Sequence, residues 1–451
     1  VDARFDEPNV VSSAGLVPVM RLAAAVGLAR LVAGRVRVAG SVGSNPGGKV
    51  AAVVAGMVAG ADSIDDLDVV RAGGMGRLFG RCYAPSTLGS FLRALRWGHV
   101  RALESAARAF LVGLAGATPL LPGAGEVAYV DVDSLLRRVY GRSKQGAAHG
   151  YTKVGGYSVL LRGLSPLVAT ISTPLARPVI AATRLRGGNA GSARGAAGMV
   201  AEAIGVARAA GASGLVIMRA DSAFCSAAVL GACGRAAARF SVTIGVNAAL
   251  RAVIAGIDEQ AWAPIRYPRA VWDDEGECWI SDAELAETTY TLRAGTRHQV
   301  TARLVVRRIR IPDPDGDALF PTYRHHAFLT DTTLSTVDAD RTHRAHAVIE
   351  QTFADLIDGP LAHLPSGHFP ANAAWLTCAG IAHNLLRAAG CLTGPSHARA
   401  TSATLRRQLV NVPARLARRS RQTVLHLPTH WPWAQPWTAL FTATHAPPAP
   451  A

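Results

Sequence analysis

Lysine is almost absent from this chain of 451 residues. Lys49, Lys144 and Lys153 are the only three, although Lys and Arg together number 47. The positive charge is therefore carried by arginine, whose planar fork suits bidentate contact with phosphate. Cysteine is sparse and scattered. Cys82, Cys225, Cys233, Cys278, Cys378 and Cys391 form no Cys-x-x-Cys pair, which argues against a cysteine zinc site and a disulfide framework and predicts a reducing, cytoplasmic setting. Long apolar runs are missing as well. "VAAVVAGMVAG" at 50–60 is too short to span a bilayer and is followed at once by Asp62, Asp65 and Asp66. The run near 109–123 is broken by Gly and Pro, and no secretory leader pattern opens the sequence. Acids disappear from the C-terminal region: none follows Asp358, whereas eight arginines do.

What is present points to a polyanion. The formal charge is +16 and the isoelectric point near 10.4, the signature of a nucleic-acid partner. The acid-free arginine-rich end, with Arg418 and Arg419, is a candidate DNA contact, and Trp431, Trp433 and Trp437 beside it read as packing residues.

Residues 15 to about 118 carry apolar positions at three- and four-residue spacing with Gly and Pro between them, which predicts helices. From 127 the pattern changes to strands: "VAYVDVD", "GYSVLLRG" and "PVIAATRLR". A helix near 193–211, the apolar strand "GLVIMRADS", a helix at about 223–238 and "FSVTIGV" follow, an order that predicts an α/β layer with a mixed sheet. Residues about 262–330 read as an antiparallel β-rich insertion; helices return at about 338–358 and 371–390, and "THAPPAPA" ends the chain as a disordered tail. These shifts divide the chain into a helical region 1–120, an α/β region 121–400 with its insertion at about 245–330, and a basic tail 401–451.

Three places set acids in unusual surroundings. Asp131 and Asp133 alternate with apolar residues on a strand, so their carboxylates share a face. Asp221 closes the apolar strand "VIMRAD". Glu350 follows His343 and His346 at helical spacing, which puts all three on one face of a continuous helix. Acids at strand ends joined by one from a later helix can hold hard divalent cations, which prefer oxygen ligands. The plainer alternative for each acid is a helix cap or an ion pair with one of the many arginines.

In their order, "DVDSLLRRVYGRSKQGAAHGYTKVGGYSVLL", "TRLRGGNAGS", "VIMRADSAF", "HRAHAVIEQTFADL" and "HLPSGHFPANAAWLTCAGIAHNLLR" resemble the DDE transposases of bacterial insertion sequences, close to the insertion-sequence-1380 type. The resemblance implies an RNase H-like mixed-sheet core with a β-rich insertion, preceded by an all-helical DNA-binding domain. It implies an enzyme that binds Mg²⁺ (or Mn²⁺), hydrolyses DNA at the element's inverted repeats and joins the freed 3′-hydroxyl to target DNA, acting as a homodimer in the nucleoid. Carried onto this chain, the catalytic acids are Asp133, Asp221 and Glu350, with Asp131 assisting at the metal. The DNA contacts are Arg184, Arg186, Asn189, Arg219, Arg344 and His346, besides the tail. The chain departs from the family pattern at three positions: Leu135 stands where a Thr is expected, His346 where related enzymes carry Arg, and Ile357 where they carry Lys. The rival readings are an RNase H-like nuclease without joining activity and a degenerate, non-catalytic DNA-binding relative.

Two motifs are set aside. "GSNPGGKV" (43–50) resembles a P-loop but has Val50 at the Ser/Thr position, and reads as a Gly-rich loop before a helix. His343, His346 and Glu350 have zinc-like spacing without a further ligand, and the histidines read as surface or phosphate-facing.

Overall fold

The computed structural model describes residues 1–80, 82–154, 156–266, 271–273, 278–280, 282–311, 321–419 and 422–445. The first part is helical: α1 Leu16–Ala25, α2 Leu28–Ala33, α3 Pro46–Ala59, α4 Pro85–Ala94 and α5 Trp97–Ala117. The Gly-rich "GSNPGGKV" is the start of α3. Asn45 caps it by accepting from Gly48 N at 3.1 Å, and Pro46 takes the first turn, where its missing N–H costs nothing. Lys49 turns inward, donating to Val42 O at 2.7 Å, so it does not face a phosphate.

Strands then follow as the alternation predicts: β1 Val127–Ser134, β2 Ala148–Val154, β3 Tyr157–Thr173 and β4 Ala176–Gly187. After α6 Ala196–Ala209 come β5 Leu215–Ala220, α7 Ala227–Arg235 and β6 Arg239–Thr243. β1, β5 and β6 run parallel, while β3 is antiparallel to β1 and β4 to β3. β5 is buried on both faces after Leu215, the usual state of a parallel strand, with Arg219 as its one charged member. The later segment forms the antiparallel strands β7 Ala283–Leu292, β8 Val300–Arg310 and β9 Tyr323–Thr330. β9 pairs with β6, so these strands continue the same sheet, which reaches eleven strands among the described residues. Residues 267–270, 274–277, 281 and 312–320 of that segment lie outside the described residues.

The helix expected at 338–358 is interrupted. α8 Thr336–Arg344 gives way to a single 3₁₀ turn, Ala345–Ala347, before α9 Val348–Ile357. A 3₁₀ turn advances three residues per turn rather than 3.6, so it changes which residues face the sheet. His343 before the turn and His346 within it face inward, whereas Glu350 after it is exposed, so the three do not share a face.

The helix α10 Phe369–Cys391 is largely apolar and buried along nearly its whole length, as a core helix is, and its few polar side chains, Asn384 among them, are hydrogen-bonded inside. It packs against α3, α5 and β4, so helices and sheet share one hydrophobic core running from Val11 to Leu440. Asn384 on α10 accepts from Ile180 N at 2.7 Å and donates to Ile180 O at 2.8 Å, satisfying backbone groups of the edge strand β4. The chain's end returns to its start. β10 Ala414–Arg419 and β11 Gln422–His426 make a three-stranded antiparallel sheet with the short strand Val10–Val11, and α11 Ala434–His445 lies on α1. Residues 446–451, within the expected disordered tail, lie outside the described residues. Among the described residues, no helix is long and apolar enough to cross a membrane.

Candidate active site

The parallel pairing of β1 and β5 builds the site. Its register sets Asp131 beside Arg219 and Val132 beside Ala220, which brings Asp133 to the edge where Asp221 leaves β5. The carboxyl ends of adjacent parallel strands open on one crevice, where α/β sheets place their ligands. "Asp-Val-Asp" therefore lies along "Arg-Ala-Asp": opposite charges meet inside, and like charges meet at the edge.

Inside, Asp131 is fully buried. Arg219 holds it in a fork, Nε to Oδ1 and Nη2 to Oδ2, both at 2.7 Å. The third arm of that guanidinium donates to Thr342 O at 2.9 Å, and its plane lies 4.0 Å over the Tyr129 ring. Burial alone would raise the Asp131 pKa, but the charge of Arg219 and the hydrogen bond from His346 outweigh it and hold the carboxyl below its ordinary range. Both oxygens are thus taken, and Asp131 is not presented to a metal. Arg219, 1% exposed, is equally withdrawn from DNA.

His346 links the interior to the edge. Its Nδ1 is 3.1 Å from Asp131 Oδ1 and its Nε2 is 3.7 Å from Asp221 Oδ1. Burial disfavours the imidazolium, yet the hydrogen bond and charge of Asp131, with Asp221 beyond, raise its pKa above the ordinary value. It is a buried connector rather than a phosphate-facing surface group. His343 is also inside: its ring nitrogens sit 2.9 Å from Ser241 Oγ and 3.0 Å from Thr243 Oγ1, and the ring stacks on Phe328.

At the edge, Asp133 is half-buried and accepts from Ser134 N at 2.6 Å. Burial, together with the charges of Asp221 and Glu350, pushes its pKa up to about 6 against the opposing effects of Ser134 N–H and His346. That shared repulsion places Glu350, in the first turn of α9, within electrostatic reach of the strand-end acids. Asp221 and Glu350 are exposed. Among the described residues, no three His, Cys, Asp or Glu side chains are placed to hold a metal ion as they stand. The donor chemistry nonetheless suits a hard divalent cation: three carboxylates, the innermost of which is pushed up by burial and then by the charges of the other two.

The remaining candidate contacts divide. Arg186 is buried and donates to Ser192 O at 2.8 Å, Arg194 O at 3.1 Å and Ser165 Oγ at 3.0 Å, so it fastens the 187–194 loop close to Asp133 instead of reaching outward. Arg184 pairs with Glu202 at 3.2 Å and Glu104 at 3.5 Å, joining β4 to α6 and α5. Arg344 donates to Asp340 at 2.8 Å. Asn189, Arg418 and Arg419 are exposed. The connecting role of His346 was hidden in the sequence because it depends on the 3₁₀ turn. The available signal was that "Asp-Val-Asp" and "Arg-Ala-Asp" each close an apolar strand.

These features define an α/β protein with a carboxylate site on the edge of a mixed sheet. The chain belongs to the transposase DDE domain group 1 family, whose model matches residues 1–446. The family suggests transposase function, a nucleic-acid-cleaving enzyme acting on DNA, and such enzymes usually use divalent metals. No curated protein matches the chain.

Proposed function

We propose that this chain is a DNA transposase with an RNase H-like core that cuts phosphodiester bonds at the ends of its element and joins the freed 3′-hydroxyl to target DNA. The observation that carries the reading is the parallel register, which sets Asp133 beside Asp221 at the carboxyl edge with Glu350 in electrostatic reach. Asp133, Asp221 and Glu350 would hold Mg²⁺ or Mn²⁺, which neutralises phosphate charge and activates the attacking oxygen when bound. Asp131 acts one step back: with Arg219 it fixes His346, and His346 faces Asp221. The helices of residues 1–120 recognise the inverted repeats, and two copies act together on paired ends in the nucleoid.

The test is a strand-transfer assay with labelled end DNA and Mg²⁺. Joined product is expected, and Asp133→Asn or Asp221→Ala should lower both cleavage and joining by about 100-fold or more. Cleavage without joining would identify a nuclease, a result to which Ile357 in place of the related enzymes' Lys would be relevant. Binding with neither product would identify a non-catalytic relative.

A further inference from the structure

Between Asp133 and Glu202 the chain contains no acidic residue and ten basic ones. Much of this stretch folds as an arm. β2 and the first half of β3 pair with each other from Ala148 opposite Gly163 to Val154 opposite Tyr157. The pairing of β3 with β1 begins only at Leu167, opposite Ser134, and that with β4 at Leu164. Among the described residues, 157–161 therefore have a single strand neighbour, while Arg162 O also accepts from Val139 N at 3.2 Å. The ribbon projects beyond the carboxyl end of β1, the end that carries Asp133, by on the order of 20 Å.

A two-stranded ribbon is marginal on its own, and its exposed edges invite a partner. This one displays large aromatic groups to solvent: Tyr151 is 76% and Tyr157 78% exposed, and Tyr140, in the loop at its base, is 66% exposed. Arg138 lies 4.9 Å over the Tyr140 ring, and Arg138 and Arg142 are both exposed. Arg162 donates to Gly141 O at 2.7 Å and Arg142 O at 3.2 Å, fastening the loop that carries Arg142 to the arm. Cations and tyrosine hydroxyls presented together, with no acid in the segment to compensate them, complement an anionic backbone. The arginines at 184, 186 and 219 are already engaged inside the protein, so they leave this task to other residues.

The geometry points to the arm as a sequence-independent grip on the phosphate backbone of duplex DNA beside the bond to be cut. Arg138 and Arg142 act at its base, and Tyr151 and Tyr157 toward its tip. This inference rests on the reading of the chain as a DNA-cutting enzyme.

The experiment measures binding of the full chain to a fluorescein-labelled random-sequence duplex over a KCl series, with oligomeric state followed by light scattering. Arg138→Ala/Arg142→Ala should weaken binding about tenfold or more at low salt and flatten the log–log salt slope by about 2, since each phosphate contact contributes about 0.9. Tyr151→Ala/Tyr157→Ala should weaken binding severalfold with little change in slope. All four side chains are exposed, so the fold should survive. Wild-type affinity and slope in both arm variants would overturn the inference while leaving the site reading intact. A change in oligomeric state with unchanged DNA affinity would overturn it in favour of a contact between copies. Failure of the wild type to bind or cut any DNA would remove the reading beneath it.

Discussion

Asp131 and Asp133 stand two residues apart on one strand and face opposite demands. Asp131 is a buried anion kept charged by Arg219, so removing the arginine leaves an uncompensated charge in the core. Arg219→Leu should therefore destabilise the fold by about 3–5 kcal/mol, while Arg219→Leu combined with Asp131→Leu should recover most of that loss. Urea unfolding of the two variants checks it; equal losses would mean that Arg219 acts through packing alone. Asp133 is the reverse case. Its pKa of about 6 lies above the ordinary 3.8, so at neutral pH its charged form costs the folded state stability. In chelator, Asp133→Asn should match or exceed the wild-type stability, by up to about 2 kcal/mol. Added Mg²⁺ should raise the wild-type melting temperature and leave that of Asp133→Asn almost unmoved. A wild type indifferent to Mg²⁺ would count against the metal role of this edge.

At the scale of elements, the 3₁₀ turn at Ala345–Ala347 decides what the helical segment does, because His343 before it and His346 within it face inward while Glu350 after it stays exposed. Burial holds the His343 pKa down to about 3, with the charges of His346, Arg219 and Arg307 adding to it. His383, buried on α10, is likewise held at about 4. The ordinary value is 6.5, so below that pH the unfolded chain binds protons that the folded chain refuses. The contribution of these two histidines is thus complete above about pH 6.5 and is lost as pH falls toward 4. Urea midpoints across that window should fall for the wild type and fall less for His343→Gln. The strands were legible because period-two alternation and apolar runs are local signals, as "VAYVDVD" and "VIMRAD" show. The acid candidates were legible for the same reason. The inward course of Arg186 and Arg219 was not, since it depends on which strand lies beside which. The break in the helix was hidden too, because "DRTHRAHAVIEQTF" has good helical periodicity on both sides of it.

At the scale of the molecule, the two ends of the chain are built into each other. Ala14 N donates to Val412 O at 2.9 Å and Gly15 N to Val410 O at 3.0 Å, beside the sheet formed by Val10–Val11 with β10. No local pattern in the sequence announces a pairing across some 400 residues, which is why the arginine-rich C-terminal segment read as a tail although much of it is folded. One glycine reports on this closure. A Cβ on Gly15 would lie 1.7 Å from Leu409 O, a contact no side chain can make without moving backbone. Its φ of −67° is ordinary, so the requirement is for space and not for conformational freedom. Gly15→Ala should therefore push the C-terminal segment off α1 at a cost of about 1–3 kcal/mol, the usual penalty for overpacking. The loss should spread, because α1 and α3 share a core with α10, and α10 supports β4. Thermal unfolding should show one transition at lower temperature rather than early release of the C-terminus alone. Two separated transitions would instead mean that the ends form an independent unit, and that α10 does not couple them to the sheet carrying Asp133 and Asp221.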